Sequence, residues 1–255
     1  MYFNENISIV YHELMSDLIH LEVPDENWLD CNNCHACSDV SFKRFETKCC
    51  DYQPSITNFI TGSILNDPNP NLFSGQRLIR KRITDGLGVT PFGILPSNSY
   101  NKSFDYSRDK TRIVSQEETS ALKCSFYNQG NCTIYKYRSD ICGLHFCKSA
   151  GLNHGLAFWK QAQKMNLFLD KTIALLIAKK MGIVIPSIIP KKLKFMSELI
   201  ETDTGKIDEM KYKTLWGEWY GQEEAYYKKC QSIFDSFNKQ KLKNQQKSCT
   251  RLPNF

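Results

Sequence analysis

A mainly α fold is the class this sequence predicts, with an irregular cysteine-rich core stapled by metal, little β-structure and added C-terminal helices. Apolar residues recur at helical rather than alternating spacing along most of the chain. Cysteines number 11 in 255 residues, and nine of them gather in two windows. A hydrophobic share of 41% with 24% charged residues is ordinary globular composition, which excludes a disordered or membrane-embedded chain.

Taken in order, residues 8–22 read as a short amphipathic helix, with Ser8 able to cap it and Val10, Leu14, Leu18 and Leu21 near helical spacing. Pro54 opens a second helical pattern through Ile56, Phe59, Ile60, Ile64 and Leu65, which the Asp67-Pro68-Asn69-Pro70 run ends. A third begins near Ser74, with Leu78, Ile79 and Ile83 on one face, Arg77, Arg80, Lys81 and Arg82 on others, and Gly86 and Gly88 as stops. Residues 89–114 are rich in Gly, Pro, Ser, Asn and Asp and read as a long loop packed by Tyr100, Phe104 and Tyr106. The one strand-like fragment is Cys132-Thr133-Ile134-Tyr135. Residues 154–181 form the plainest helix, its apolar stripe traced by Leu156, Trp159, Ala162, Met165, Leu169, Ile173, Leu176 and Ile177, with Gly182 as the stop. After Pro186 and Pro190, residues 208–241 carry a further helical tract rich in Trp and Tyr, followed by a polar tail. Two regions follow: a cysteine-cluster metal-binding domain over 1–182, and a helical extension over 183–255.

The first cysteine group is Cys31, Cys34 and Cys37, then Cys49 and Cys50; the second is Cys124, Cys132, Cys142 and Cys147. Thiolates are soft, anionic ligands for zinc or iron–sulfur clusters, and two-residue gaps let a turn aim two sulfurs at one centre. Only the first group has such gaps, so a zinc ribbon does not fit, and a composite site joining both groups is expected. The 73 residues between Cys50 and Cys124 then form a loop closed by metal, so that binding contributes to folding. Nine thiols exceed the four one site needs, leaving open one centre with spare cysteines or two centres that use eight. His35 and His145 lie inside the groups as substitute ligands, Cys230 sits on a helical pattern as a core residue, and Cys249 reads as an incidental thiol.

The run from Cys124 through Cys132-Thr133-Ile134-Tyr135 and Arg138-Ser139 to Cys142 resembles the second half of the YkgJ-type cysteine-cluster proteins. Their half-motif is a cysteine, an aromatic or apolar pair, a turn, Cys-x-Ile-Tyr, then Arg-Pro and another cysteine; Ser139 stands here for the proline. Their first half is a compact Cys-x2-Cys-x2-Cys-Cys, whereas this chain displaces the double cysteine to Cys49 and Cys50. The flanks, including His145-Phe146-Cys147-Lys148 and the Trp216-Gly217-Glu218-Trp219 tract, look like a longer bacterial subgroup, with the resemblance strongest over residues 28–160. It implies zinc or iron chelation, with Cys31, Cys34, Cys49, Cys50, Cys124, Cys132, Cys142 and Cys147 as ligands. Flagellin lysine methylases carry a similar cluster and use it in an iron–sulfur-dependent reaction, which implies an enzyme as the alternative to a metal-handling, electron-transfer or accessory protein.

Residues 1–23 lack a basic start and an apolar run, and no apolar stretch approaches the roughly 20 residues of a membrane span, so a cytoplasmic protein without membrane association is expected. In a reducing compartment the cysteines read as ligands rather than disulfides. Gly86-x-Gly88 lacks the third glycine and preceding strand of a dinucleotide loop. The clusters Arg77, Arg80, Lys81 and Arg82, then Lys191, Lys192 and Lys194, then Lys239, Lys241, Lys243 and Lys247, come without a nucleic-acid reader motif and read as solvated faces. The formal charge of +6 suits an acidic protein partner. No small-molecule substrate and no catalytic residue is specified; Tyr100, Asp105, Tyr106 and Arg108 are the residues that would line a pocket on the enzyme reading.

Overall fold

The computed structural model describes residues 6–15, 22–23, 26, 50, 52–107, 115, 122–129, 131–146, 149–187, 193–202 and 204–249, the last eleven of these by backbone alone. Among the described residues the protein is mainly helical, 61% helix against 7% strand.

A short helix α1 (Tyr11–Leu14) precedes strand β1 (Ile56–Thr57) and helix α2 (Asn58–Asn66). Helix α3 (Phe73–Asp85) follows a 3-10 turn at Pro70–Leu72. Its C-cap is Gly86, whose φ of 75° is a left-handed conformation that glycine reaches without a Cβ clash. Strands β2 (Val89–Thr90) and β3 (Gly93–Ile94) come next and pair antiparallel with each other and with β1, in the order β1-β3-β2, with Ile94 opposite both Ile56 and Val89. Helix α4 (Asn98–Ser107) then leads to a hairpin of β4 (Tyr127–Asn128) and β5 (Asn131–Cys132). Helix α5 (Asp140–Gly143), the long α6 (Leu152–Lys180), α7 (Glu209–Trp216) and α8 (Glu223–Cys249) complete the chain.

The most extensive helix pairing is α2 against α8. Gly62 makes it possible: a Cβ there would stand 2.0 Å from the carbonyl oxygen of Tyr227. Phe59 and Phe234 stack across the same contact with centroids 4.4 Å apart, and Tyr11 meets both rings edge-on. Buried hydroxyls tie α8 to the small sheet, Tyr227 donating to the Thr90 carbonyl at 2.7 Å and Tyr226 to the Pro91 carbonyl at 2.9 Å. Trp216 Nε1 donates to Val89 and Asn58 Nδ2 to both Pro91 and Ala174, so strands two residues long are held by side chains from three helices. One buried cluster thus draws on residues from Ile7 to Phe234.

Sequence and structure differ in several places; Ser8 does not cap α1, and the tract over 208–241 is two helices, Glu209–Trp216 and Glu223–Cys249. Residues 89–114 are not one loop: residues 89–94 form a hairpin and 98–107 a helix. Gly93, at φ 143°, lets β3 pass so close to β1 that a Cβ would lie 2.0 Å from the Ile56 carbonyl oxygen. Ser97 Oγ and Glu201 accept the first N–H groups of α4, so a polar segment without helical periodicity still has its end groups satisfied. The strand near Cys132 is Asn131–Cys132, and Tyr135 begins a 3-10 turn instead of extending it. Helix α6 buries Gly155, Trp159, Ala162, Asn166, Asp170, Ala174, Ile177 and Ala178, while Met165 (38%), Phe168 (68%) and Leu176 (54%) face outward. Small residues admit close neighbours, and the buried face follows them rather than the bulkiest side chains.

Candidate metal centre

The segment carrying Cys50 is fastened directly to the segment carrying Cys124. Cys124 N–H donates to the Cys50 carbonyl at 2.7 Å. Three residues on, Gln53 Oε1 accepts both the N–H (3.0 Å) and the hydroxyl (2.9 Å) of Ser125, and Gln53 is 5% exposed. The Gln53 N–H donates to Tyr100 Oη at 2.7 Å, and that hydroxyl donates in turn to the Leu122 carbonyl at 3.2 Å. Tyr100 stacks on Phe104, which meets Tyr52 edge-on with centroids 5.0 Å apart, so α4 braces the clip from behind.

From Cys124 the chain turns into the β4–β5 hairpin, where Tyr127 N–H returns to the Cys124 carbonyl and Thr133 N–H to the Phe126 carbonyl. Phe126 and Ile134 are buried anchors, and Gly75 on α3 lies where a Cβ would strike Ile134 Cγ2 at 2.5 Å, so the hairpin sits directly on α3. Beyond Cys132, Tyr137 Oη donates to Asp67 Oδ2 at 2.6 Å and Lys136 Nζ pairs with the same oxygen at 2.6 Å. These contacts hold the approach to α5, which carries Cys142 and whose first turn is closed by Cys142 and Gly143 N–H groups on the Ser139 carbonyl. Ser139 Oγ donates to Cys142 Sγ at 3.8 Å.

The thiols feel one another. Burial pushes Cys124 up to about 12, and neighbouring Cys132 and Cys50 push the same way. Burial likewise raises Cys142 to about 12, partly offset by the Ser139 hydroxyl and reinforced by Cys124, Cys132 and Asp140. Cys132 is raised by burial, against the Ile134 N–H and the positive charge of Arg138, which lies 4.2 Å over the Tyr135 ring. Burial pushes the Tyr52 hydroxyl up to about 12, with Asp140, Cys142 and Asp105 acting the same way.

Of the nine candidate ligands, Cys50 and Cys124 are joined through a main-chain hydrogen bond, Cys132 ends β5 and Cys142 lies on α5, while Cys31, Cys34, Cys37, Cys49 and Cys147 lie outside the described residues, as does His35. Among the described residues, no group of three or more His, Cys, Asp or Glu side chains is close enough to hold a metal ion. An all-thiol set suits a soft or borderline ion, because buried thiols that stay protonated when bare surrender their protons to a metal that neutralises the thiolate. Cys230 is fully buried in the core of α8, with its thiol raised to about 12 by burial.

Sequence reading missed Gln53, Tyr52 and Asp140 as parts of the site's frame; their one signal was proximity in the chain to Cys50 and Cys142. The basic cluster on α3 is largely committed to structure. Arg82 donates to the Leu87 and Leu95 carbonyls, Arg80 pairs with Glu224 at 3.2 Å and Lys81 with Asp85 at 2.7 Å. Among the described residues, no helix is long and apolar enough to cross a membrane. None of the family models, curated proteins or solved structures compared with the chain matches it.

Proposed function

We propose that the chain is a cysteine-ligated metal protein, binding zinc or an iron–sulfur cluster, whose role is metal handling, electron transfer or service to another enzyme. The observation that supports this reading is the hydrogen bond from Cys124 N–H to the Cys50 carbonyl, which joins two cysteine groups 73 residues apart in sequence. Packing alone does not require cysteine at Cys142, which is exposed, nor at Cys50 and Cys132, which are half-buried. Cys50, Cys124, Cys132 and Cys142 are the candidate ligands within the described residues, and Cys31, Cys34, Cys37, Cys49 and Cys147 are the others; a bound cluster would supply one-electron chemistry whereas zinc would supply structural closure. The chain's own part is to fasten Cys50 and Gln53 to Cys124 and Ser125 and to keep Cys124 out of bulk water. The metal-stapled core and the cytoplasmic location belong to this same proposal. The resemblance to YkgJ-type proteins supports it.

The second reading is an iron–sulfur-dependent enzyme related to flagellin lysine methylases. It is favoured by Tyr52, whose hydroxyl is raised by burial and by the nearby charges of Asp140, Cys142 and Asp105. Tyr100, in contrast, is occupied by the clip.

Anaerobic purification with zinc, iron and acid-labile sulfide analysis tests both. Iron with sulfide and a colour bleached by dithionite selects the cluster. Stoichiometric zinc in a colourless protein selects the structural ion and ends the enzyme reading. Protein free of both metals, and unable to take up either on reconstitution, overturns the proposal.

A further inference from the structure

Glu26 is 3% exposed, and its side chain accepts three hydrogen bonds. Ser149 Oγ (2.5 Å) and Trp159 Nε1 (2.8 Å) donate to Oε1, and the Ala150 N–H donates to Oε2 at 2.8 Å. Three donors on two oxygens suit a carboxylate, which has no donor of its own to misplace. The partners are ordered in turn. Ser149 Oγ accepts the Gly151 N–H at 3.2 Å, and the Ser149 carbonyl accepts the Leu152 N–H at 3.0 Å. Leu152 holds φ 50°, which is costly for a branched side chain, and it is 76% exposed, so its own packing does not hold the turn in that form. Gly155 leaves room for the contact, since a Cβ there would lie 1.9 Å from Ser149 Oγ. Trp159 also packs its ring against Phe146 with centroids 4.4 Å apart. Phe146 and Ser149, the described neighbours of Cys147 in sequence, thus both rest on the Glu26–Trp159 pair.

The place of this contact in the chain gives it a meaning. Residues 26–50 and 124–150 contain all nine candidate ligands, whereas residues 51–123 and 151–229 contain no cysteine. The two cysteine-bearing stretches are fastened to each other at both ends, Cys50 to Cys124 by the main-chain hydrogen bond and Glu26 to Ser149 and Ala150 by the carboxylate. A single fastening leaves the far ends free to separate, and a centre that draws ligands from both stretches then has to restrain them at its own cost. We propose that Glu26 is a positioning residue of the cysteine centre: it ties the chain ahead of the first cysteine group to the chain behind the second, so that the ligands are gathered before metal arrives. This rests on the metal-protein reading above.

The alternative is that Glu26 only anchors the start of α6. Glu26→Gln separates the two, because it keeps the shape but turns an amide NH2 towards at least one of the three donors. The full-length protein is reconstituted with zinc, or with iron and sulfide if that is what it carries when purified anaerobically. Affinity is measured by chelator competition, and melting temperature with and without metal. A residue that only anchors α6 lowers both melting temperatures alike and leaves affinity unchanged, which is the behaviour expected of Gly62→Ala, a destabilising change in the α2–α8 contact. Glu26→Gln should instead weaken metal by about tenfold and shrink the rise in melting temperature that metal brings. Should that variant not fold, Ser149→Ala, which removes one donor and leaves the carboxylate in place, should weaken metal by roughly threefold. Wild-type affinity in whichever variant folds overturns the role of Glu26 and leaves the metal reading standing. A wild type that takes up neither metal overturns both.

Discussion

Replacing Gln53 with methionine tests whether the two cysteine segments are held together by the clip described above. The substitution keeps side-chain length and volume, so no cavity opens, and the Gln53 N–H remains on Tyr100 because it is a backbone group. What goes is the oxygen that accepts the N–H of Ser125 at 3.0 Å and its hydroxyl at 2.9 Å. A lost hydrogen bond costs about 1 kcal/mol, and Ser125 is exposed so that water can meet the freed donors, so Gln53→Met should destabilise by about 1–2 kcal/mol. Urea unfolding measures this as a lower midpoint at unchanged slope. Chelator competition should show faster metal loss from the same variant, because the Cys50 and Cys124 segments would be joined by the main-chain hydrogen bond and the Tyr100 bridge without the Gln53–Ser125 contact. Gln53→Glu keeps an acceptor for both donors and should behave far closer to wild type. Equal stability and equal metal retention in Gln53→Met and wild type would refute the clip.

Cys142→Ser should abolish or greatly weaken metal binding with a small change in the stability of the metal-free protein, because its side chain is exposed; metal analysis and unfolding of the apo-protein check the two halves. Since burial raises Cys124, Cys132 and Cys142 above the ordinary thiol range, metal uptake must release their protons, and affinity should climb as pH rises from 6 to 8, roughly that range, when followed by competition with a chromophoric chelator. Gly62→Ala should destabilise by about 3 kcal/mol or more, since its methyl would meet the Tyr227 carbonyl oxygen at 2.0 Å, and a thermal melt no lower than wild type would contradict the α2–α8 packing. Asp67 is held below the usual carboxylate range: burial opposes this, but hydrogen bonds from Lys136, Tyr137 and the Asn69 N–H prevail. A depressed folded-state value contributes stability above the unfolded value and loses it as pH falls through the folded one, so Asp67→Asn should cost about 1–2 kcal/mol at neutral pH and flatten the acid limb of the stability profile.

How much of this was legible in the sequence depended on how local the cause was. Helices α2, α3 and α6 and the turn at Gly86 follow from periodicity and stop residues within a few turns of themselves, and were readable. The strands of residues 89–94 are two residues each, too short for any alternation, and exist because Tyr226, Tyr227 and Trp216 reach them from over 120 residues away. The buried face of α6 was read in part: Trp159, Ala162 and Ile177 lie on it as expected, but Met165 and Leu176 face outward, and Gly155, Ala174 and Ala178, whose signal is weaker, are buried. Cysteine spacing pointed to a composite site, but the means of joining it, a glutamine oxygen on a serine and one backbone hydrogen bond, carries no pattern a sequence can display. Asp170 is the extreme case: mid-helix and polar, it reads as surface, and only the assembled neighbours Tyr11 and Asn166 reveal it as interior.

X-ray absorption at the edge of whichever metal the anaerobically purified protein carries tests the central claim most directly. The account expects a shell dominated by sulfur that loses part of its sulfur scattering in Cys50→Ser and, independently, in Cys132→Ser. A sulfur shell unchanged by both substitutions, or one built of nitrogen and oxygen alone, would contradict it.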